Sequence, residues 1–206
     1  SWLAGPWDLF IEHGHRLLGA LVGMLTIALA ITLWRCDGRP WMKRTGAVAF
    51  ALVVLQGVLG GLRVVLDERL LAMIHACTGP LFFALVVALV VFTSARWLQG
   101  PAAHAPAARN LHALAALLCV LLYAQLVLGA LLRHMPVGAE PATFAAIVQF
   151  HVLLAGVLLL AGCWQVATVW RRFAEIVTLR KLATLLAVLL VVQIALGVST
   201  WAVKYS

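Results

Sequence analysis

Ile11-Glu12-His13-Gly14-His15-Arg16-Leu17-Leu18-Gly19 puts a carboxylate, two imidazoles and a guanidinium at the head of a long apolar run. From Leu17 to Trp34 that run carries no charge. A helix needs about 20 such residues to cross a bilayer. Ionisable groups at the end of such a span are costly to bury, so they point to function first.

Outward from this stretch the pattern repeats. Six segments are expected to span: 10–35, 46–66, 69–96, 109–132, 145–170 and 180–202. Of 206 residues, 65% are hydrophobic and only 11% are charged, with a mean hydropathy of +1.06. No soluble domain of this size needs so much apolar surface. The chain reads as an all-α polytopic membrane protein, one transmembrane helical domain over residues 1–206 embedded in a lipid bilayer. Its net charge of +8 is not a nucleic-acid signal, because the basic residues sit in short loops between the apolar runs.

Those loops set an orientation. Arg35, Arg39, Lys43 and Arg44, then Arg96 and Arg109, then Arg171, Arg172, Arg180 and Lys181 mark alternate connections. The others are poorer: Arg63 and Arg69 beside Asp67 and Glu68, and Arg133 beside Glu140. The positive-inside bias puts the head of the first segment outside. Trp2, Trp7 and Trp201 fit an outer aromatic belt, and Trp34, Trp41, Trp97 and Trp170 an inner one. No signal peptide is visible, and at least one end of the protein is expected to lie beyond Ser1 or Ser206. Cys36, Cys77, Cys119 and Cys163 are scattered and predict no disulfide.

Two internal periods follow. Gln56-Gly57-Val58-Leu59-Gly60, Gln125-Leu126-Val127-Leu128-Gly129 and Gln193-Ile194-Ala195-Leu196-Gly197 recur about every 68 residues, which is two crossings. Their glycines allow close helix approach, and their glutamines can bond across an interface. Packing glue and ligand contact are both open readings. His15 and His151 stand 136 residues apart, and Gln56 and Gln193 stand 137 apart. Two pseudo-symmetric halves of four helices are expected, so that six helices of an eight-helix bundle are present, without a first and a last.

His13, His15, His75, His134 and His151 fall toward the outer face, and His104 and His112 toward the inner one. His15, His75 and His151 head three segments that run in the same direction. Two imidazoles at one depth in a bundle can hold one haem iron. His15 and His75 are the expected pair. Glu12, three residues before His15, shares its helix face and could handle a proton, or could simply favour the helix dipole. His13 points about 160° away from His15 and reads as interfacial. Arg16, Arg63 and Arg133 could pair with haem propionates or snorkel to the headgroups. His134 is a candidate near a second site. Pro80, one turn below His75, is expected to kink its helix, and Cys77 to pack.

At these residues the chain resembles the haem A synthase family, the Cox15/CtaA type. The matching pieces are Glu12-x-x-His15-Arg16, Gln56-Gly57-x-Leu59-Gly60-Gly61-x-Arg63-Val64, His75-Ala76-Cys77, Gln125 to His134, and Gln149-x-His151. Val152, Gly79-Pro80 and a cysteine-free loop 134–144 depart from the family pattern. The resemblance implies eight helices in two halves, with two histidines in each. His15 and His75 would flank haem o. His151 would hold haem b with a partner beyond this chain, and Glu12 would be the required glutamate. The implied activity is oxidation of the C8 methyl of haem o to the formyl of haem a for cytochrome c oxidase. A haem o synthase would act upstream and the oxidase assembly would receive the product. A homo-oligomer, the bacterial inner membrane and haem sites toward its outer face are the matching expectations. A non-catalytic dihaem b cytochrome fed by quinol uses the same histidines without an essential Glu12. A repeat-built transporter would use them as proton relays.

Overall fold

The computed structural model describes residues 7–99, 106–136 and 138–205; Trp2 and His104 lie outside them. The described residues form seven helices: α1 (Trp7–Cys36), α2 (Pro40–Val65), α3 (Arg69–Thr93), α4 (Ala95–Gln99), α5 (Pro106–Arg133), α6 (Pro141–Arg172) and α7 (Val177–Tyr205). All but the short α4 are long and apolar enough to cross a membrane. The all-helical multi-pass architecture is therefore the one expected, and it is compatible with an eight-helix whole.

Hydropathy found the spans but misjudged their starts. The second, fourth and fifth begin three to six residues early, at Pro40, Pro106 and Pro141. Proline lacks the N–H that a first helical turn leaves unpaired, and its fixed φ suits that turn. Lys43 and Arg44 thus belong to a helix rather than a loop. At the other end of α3, Ser94 breaks the helix. Its backbone N–H bonds Val91 O, and its hydroxyl accepts the Trp97 N–H that starts α4. Between α2 and α3 the chain turns in three residues, with Asp67 at a φ of 49°. α3 runs unbroken through Pro80.

The chain divides into two compact units, Ser1–Pro101 and Ala102–Ser206. In the first, α2 packs on both α1 and α3, whose backbones stay apart. Its core sits toward the α1–α2 connection: Leu33, Met42, Ala49 and Leu89, flanked by Leu29, Phe82, Leu85 and Phe92. Gly46 lets Leu33 in, since a Cβ there would stand 3.0 Å from Leu33 Cδ1. A polar clamp closes this end. Arg39 forks onto Asp37 through Nε at 3.0 Å and Nη2 at 2.7 Å, and its Nη1 donates to Phe92 O at 3.1 Å. The same guanidinium lies 5.1 Å from the Trp41 ring centre, and Phe92 meets Trp41 edge-to-face and Trp97 at a tilt. In the second unit α6 packs on α5 and on α7. Gly162 receives Leu190 there.

Few side chains are fully buried, and large apolar ones face outward along every span, such as Phe83 at 69% and Leu160 at 73% exposure. Helices that are apolar all round are stable only where the solvent is itself apolar. Such faces suit lipid; all four cysteines are free thiols, with Cys36, Cys119 and Cys163 exposed.

Candidate haem-ligand site

The site forms at the end of the first unit where α2 turns into α3. His15 comes from the third turn of α1 and His75 from the second turn of α3. Their ring centres lie 6.3 Å apart with planes at 89°. The two helices do not touch through their backbones, so the imidazoles face each other across a gap floored by α2. An iron shared by two imidazole nitrogens, at bonds of about 2 Å each, sets the ring centres roughly 6 Å apart. Rotation about each metal–nitrogen bond leaves the interplanar angle free. The spacing of the pair is therefore that of ligands to one iron.

No three His, Cys, Asp or Glu side chains converge on a point among the described residues. Two imidazoles alone make a poor cage for a bare ion. They suit a metal already held by four nitrogens of a macrocycle, which lacks only its axial partners.

Each residue around the pair has a definite position. Arg63, in the last turn of α2, is half-buried and near enough to His75 to act on it electrostatically. Arg16 Nη2 lies 2.5 Å from Glu12 Oε1, one turn apart on α1. The proton-handling candidate and one propionate candidate are thus paired with each other, both exposed. His13 turns back onto its own helix, with Nδ1–H donating to Leu9 O at 2.9 Å. Cys77 is half-buried on α3.

Sequence reasoning left the glutamines ambiguous, and the structure gives them a geometry. Gln56 Nε2 donates to the backbone oxygen of His75 at 3.4 Å and to Thr78 Oγ1. One turn along, Gly60 faces the His75 ring: a Cβ there would meet Cε1 at 3.2 Å. The second unit repeats the device. Gln125 Nε2 donates to the backbone oxygen of His151 at 3.0 Å, and a Cβ on Gly129 would meet His151 Cε1 at 3.4 Å. Nδ1 of His75 and of His151 is buried without a hydrogen-bond partner in both cases. The third copy differs. Gln193 is exposed, and nothing lies within 4 Å of a Cβ on Gly197. Arg133 ends α5 exposed, with the His134 N–H on Ala130 O.

Comparison with known proteins gives matches of one kind. The model of the COX15-CtaA family, described as cytochrome oxidase assembly protein, matches residues 7–148. A protein named "Heme A synthase" from Symbiobacterium thermophilum is 31% identical over 223 residues, covering 93% of this chain and 69% of its own length. One of the same name from Bradyrhizobium sp. is 30% identical over 221 residues, covering 92% and 60%. Another, from Shouchella clausii, is 36% identical over 86 residues, covering 41% and 29%. The match thus spans from under a third to about two-thirds of the length of these relatives. No solved structure matches the chain.

Proposed function

Because this chain belongs to the COX15-CtaA family of cytochrome oxidase assembly proteins, we propose that it is the haem-handling part of a haem A synthase. The observation that carries the reading is the 6.3 Å approach of His15 and His75 across the α1–α3 gap. The substrate would be haem o, whose C8 methyl group is oxidised to the formyl group of haem a. The macrocycle and its iron supply the redox chemistry, and the protein supplies placement and electrostatics.

In this reading His15 and His75 would hold the substrate iron. Arg63 lies beside that pair and would take a propionate as a bidentate fork. Arg16 could do the same only by sharing or releasing Glu12. Glu12 is the proton-handling group at the haem edge, and its link to Arg16 keeps the carboxylate oriented in the absence of substrate. His151 holds a second haem, of the b type, in the second unit, with Arg133 and His134 at the same end of the helical hairpin. The protein would sit in a bacterial plasma membrane, and the positive-inside bias of its loops supports both haems lying toward the outer face. Haem o synthase would supply the substrate, and cytochrome c oxidase would receive the product.

The test is a pyridine haemochrome spectrum with chromatography of the extracted haem. It is run on the full-length protein co-expressed with a haem o synthase, beside His75→Ala. Haem a in the parent and its loss in the variant support the reading. Haem b alone in both leaves a b-type electron-transfer cytochrome and removes the synthase.

A further inference from the structure

The two glutamine grips are alike in their first hydrogen bond and unlike in their second. A primary amide has two N–H donors. In both units one of them goes to the backbone oxygen of the histidine on the neighbouring helix. In the first unit the other goes to Thr78 Oγ1. That hydroxyl can accept it because its own proton is committed to Ile74 O at 2.8 Å. The Gln56 amide therefore makes no hydrogen bond to the His75 ring, whose polar neighbour on α2 is the Gln56 backbone instead.

The second unit has no such acceptor. The residue three after His151, matching Thr78 three after His75, is Leu154. The second N–H of Gln125 turns to the ring instead, and reaches His151 Nε2 at 3.2 Å. Nε2 accepts with the ring in its Nδ1–H form. The nitrogen that would bind iron in the second unit is therefore covered by an amide, whereas its counterpart in the first unit carries none.

We propose that Thr78 is a positioning residue for His75: it diverts the Gln56 amide away from the ring and keeps the ligand nitrogen available, while Leu154 leaves His151 capped by Gln125. This rests on His75 being a haem ligand, as proposed above. The consequence is an asymmetry in loading. The first unit takes a metal without displacing a side-chain amide from the ring, and the second must displace one. A net hydrogen bond of ordinary strength corresponds to roughly a three- to tenfold change in affinity.

The experiment titrates ferric haem b into full-length apoprotein in detergent, in a His151→Ala background that isolates the first site. Thr78→Val keeps the side-chain shape and removes the acceptor, so affinity should fall about three- to tenfold. Gln56→Met removes the amide that would then cover the ring. The double variant Thr78→Val/Gln56→Met should bind within about twofold of Gln56→Met alone, because the threonine acts only through the glutamine. A purely structural threonine would give additive losses, and additive losses overturn the proposal. So does a Thr78→Val protein that titrates like its parent. A parallel His75→Ala protein should lose the titration. If it binds haem as its parent does, the ligand assignment itself fails, and this proposal falls with it. In the reverse direction, Leu154→Thr in a His75→Ala background should tighten binding at His151 by a similar factor, and an unchanged affinity there counts against the proposal.

Discussion

The His15 and His75 rings meet with their centres 6.3 Å apart although α1 and α3 make no backbone contact. Such an arrangement is poor packing and good ligation. It leaves the two rings at the spacing that a shared metal would set.

His13 and His15 sit two residues apart and should behave oppositely. The His13 ring already donates to Leu9 O on its own helix. His13→Ala should leave the haem content of the purified full-length protein within experimental error of the parent. His15→Ala should lower it by about one equivalent. Equal losses from the two variants would remove the pairing of His15 with His75.

The glycines of the three repeat copies should form a graded series when each is changed to alanine. At Gly60 the new methyl meets the His75 ring at 3.2 Å, tighter than ordinary contact, so the imidazole must shift. At Gly129 the approach to His151 is 3.4 Å, and at Gly197 there is open space. Alanine favours a helix over glycine by up to about 1 kcal/mol. Gly197→Ala should therefore be neutral to stabilising by thermal unfolding in detergent, Gly129→Ala close to neutral, and Gly60→Ala the most damaging to the haem spectrum. A reversed order would mean that the rings are not seated on these glycines.

Much of this was legible in the sequence, and the physical reason is the solvent. Lipid demands about 20 apolar residues per crossing and internal satisfaction of every backbone group, so the spans announce themselves. His15 and His75 stood out because an imidazole within an apolar run has few structural reasons to be there. The role of Gln56 and Gln125 was not legible, because a glutamine in a span reads the same whether it grips a neighbour or a ligand. Thr78 was invisible. Its meaning depends on what lies opposite it on α2, and helix phase across a pair of helices is not written in either helix alone. The proline starts of α2, α5 and α6 were missed because hydropathy averages over the polar first turn.

The Glu12–Arg16 link should matter little to stability. The two side chains are 47% and 58% exposed. An exposed pair one turn apart contributes about 0.3–0.5 kcal/mol, which for a chain of this size is a change of roughly 1–2 °C in Tm. Glu12→Gln should keep its Tm and its bound haem while losing haem a from the extract. A Glu12→Gln protein that still makes haem a removes the carboxylate from the chemistry, and one that unfolds makes it structural.

At the opposite end of the first unit, the Arg39 side chain and backbone N–H hold the Asp37 carboxyl at about 2, below its ordinary 3.8. Asp37 lies in the connection between spans, where water sets the reference. A carboxylate whose folded value is lowered adds stability above its unfolded value and loses it as the pH falls through the folded one. The difference in Tm between the parent and Asp37→Asn should be constant from neutral pH down to about 4, and shrink toward zero as the pH approaches 2. A difference that already changes between about pH 8 and pH 5 would implicate another group.

The outward-facing apolar surface has a consequence for how such a sequence can drift. A position that touches only acyl chains asks for hydrophobicity and not for shape, so Leu, Val and Ile can replace one another there freely. Exposed positions within the spans, such as Phe83 and Leu160, suit this role, whereas Leu33 against Gly46 and the histidines against their glycines do not. Chains built this way can diverge over most of their length while a thin inward ladder of Gln, Gly and His stays fixed.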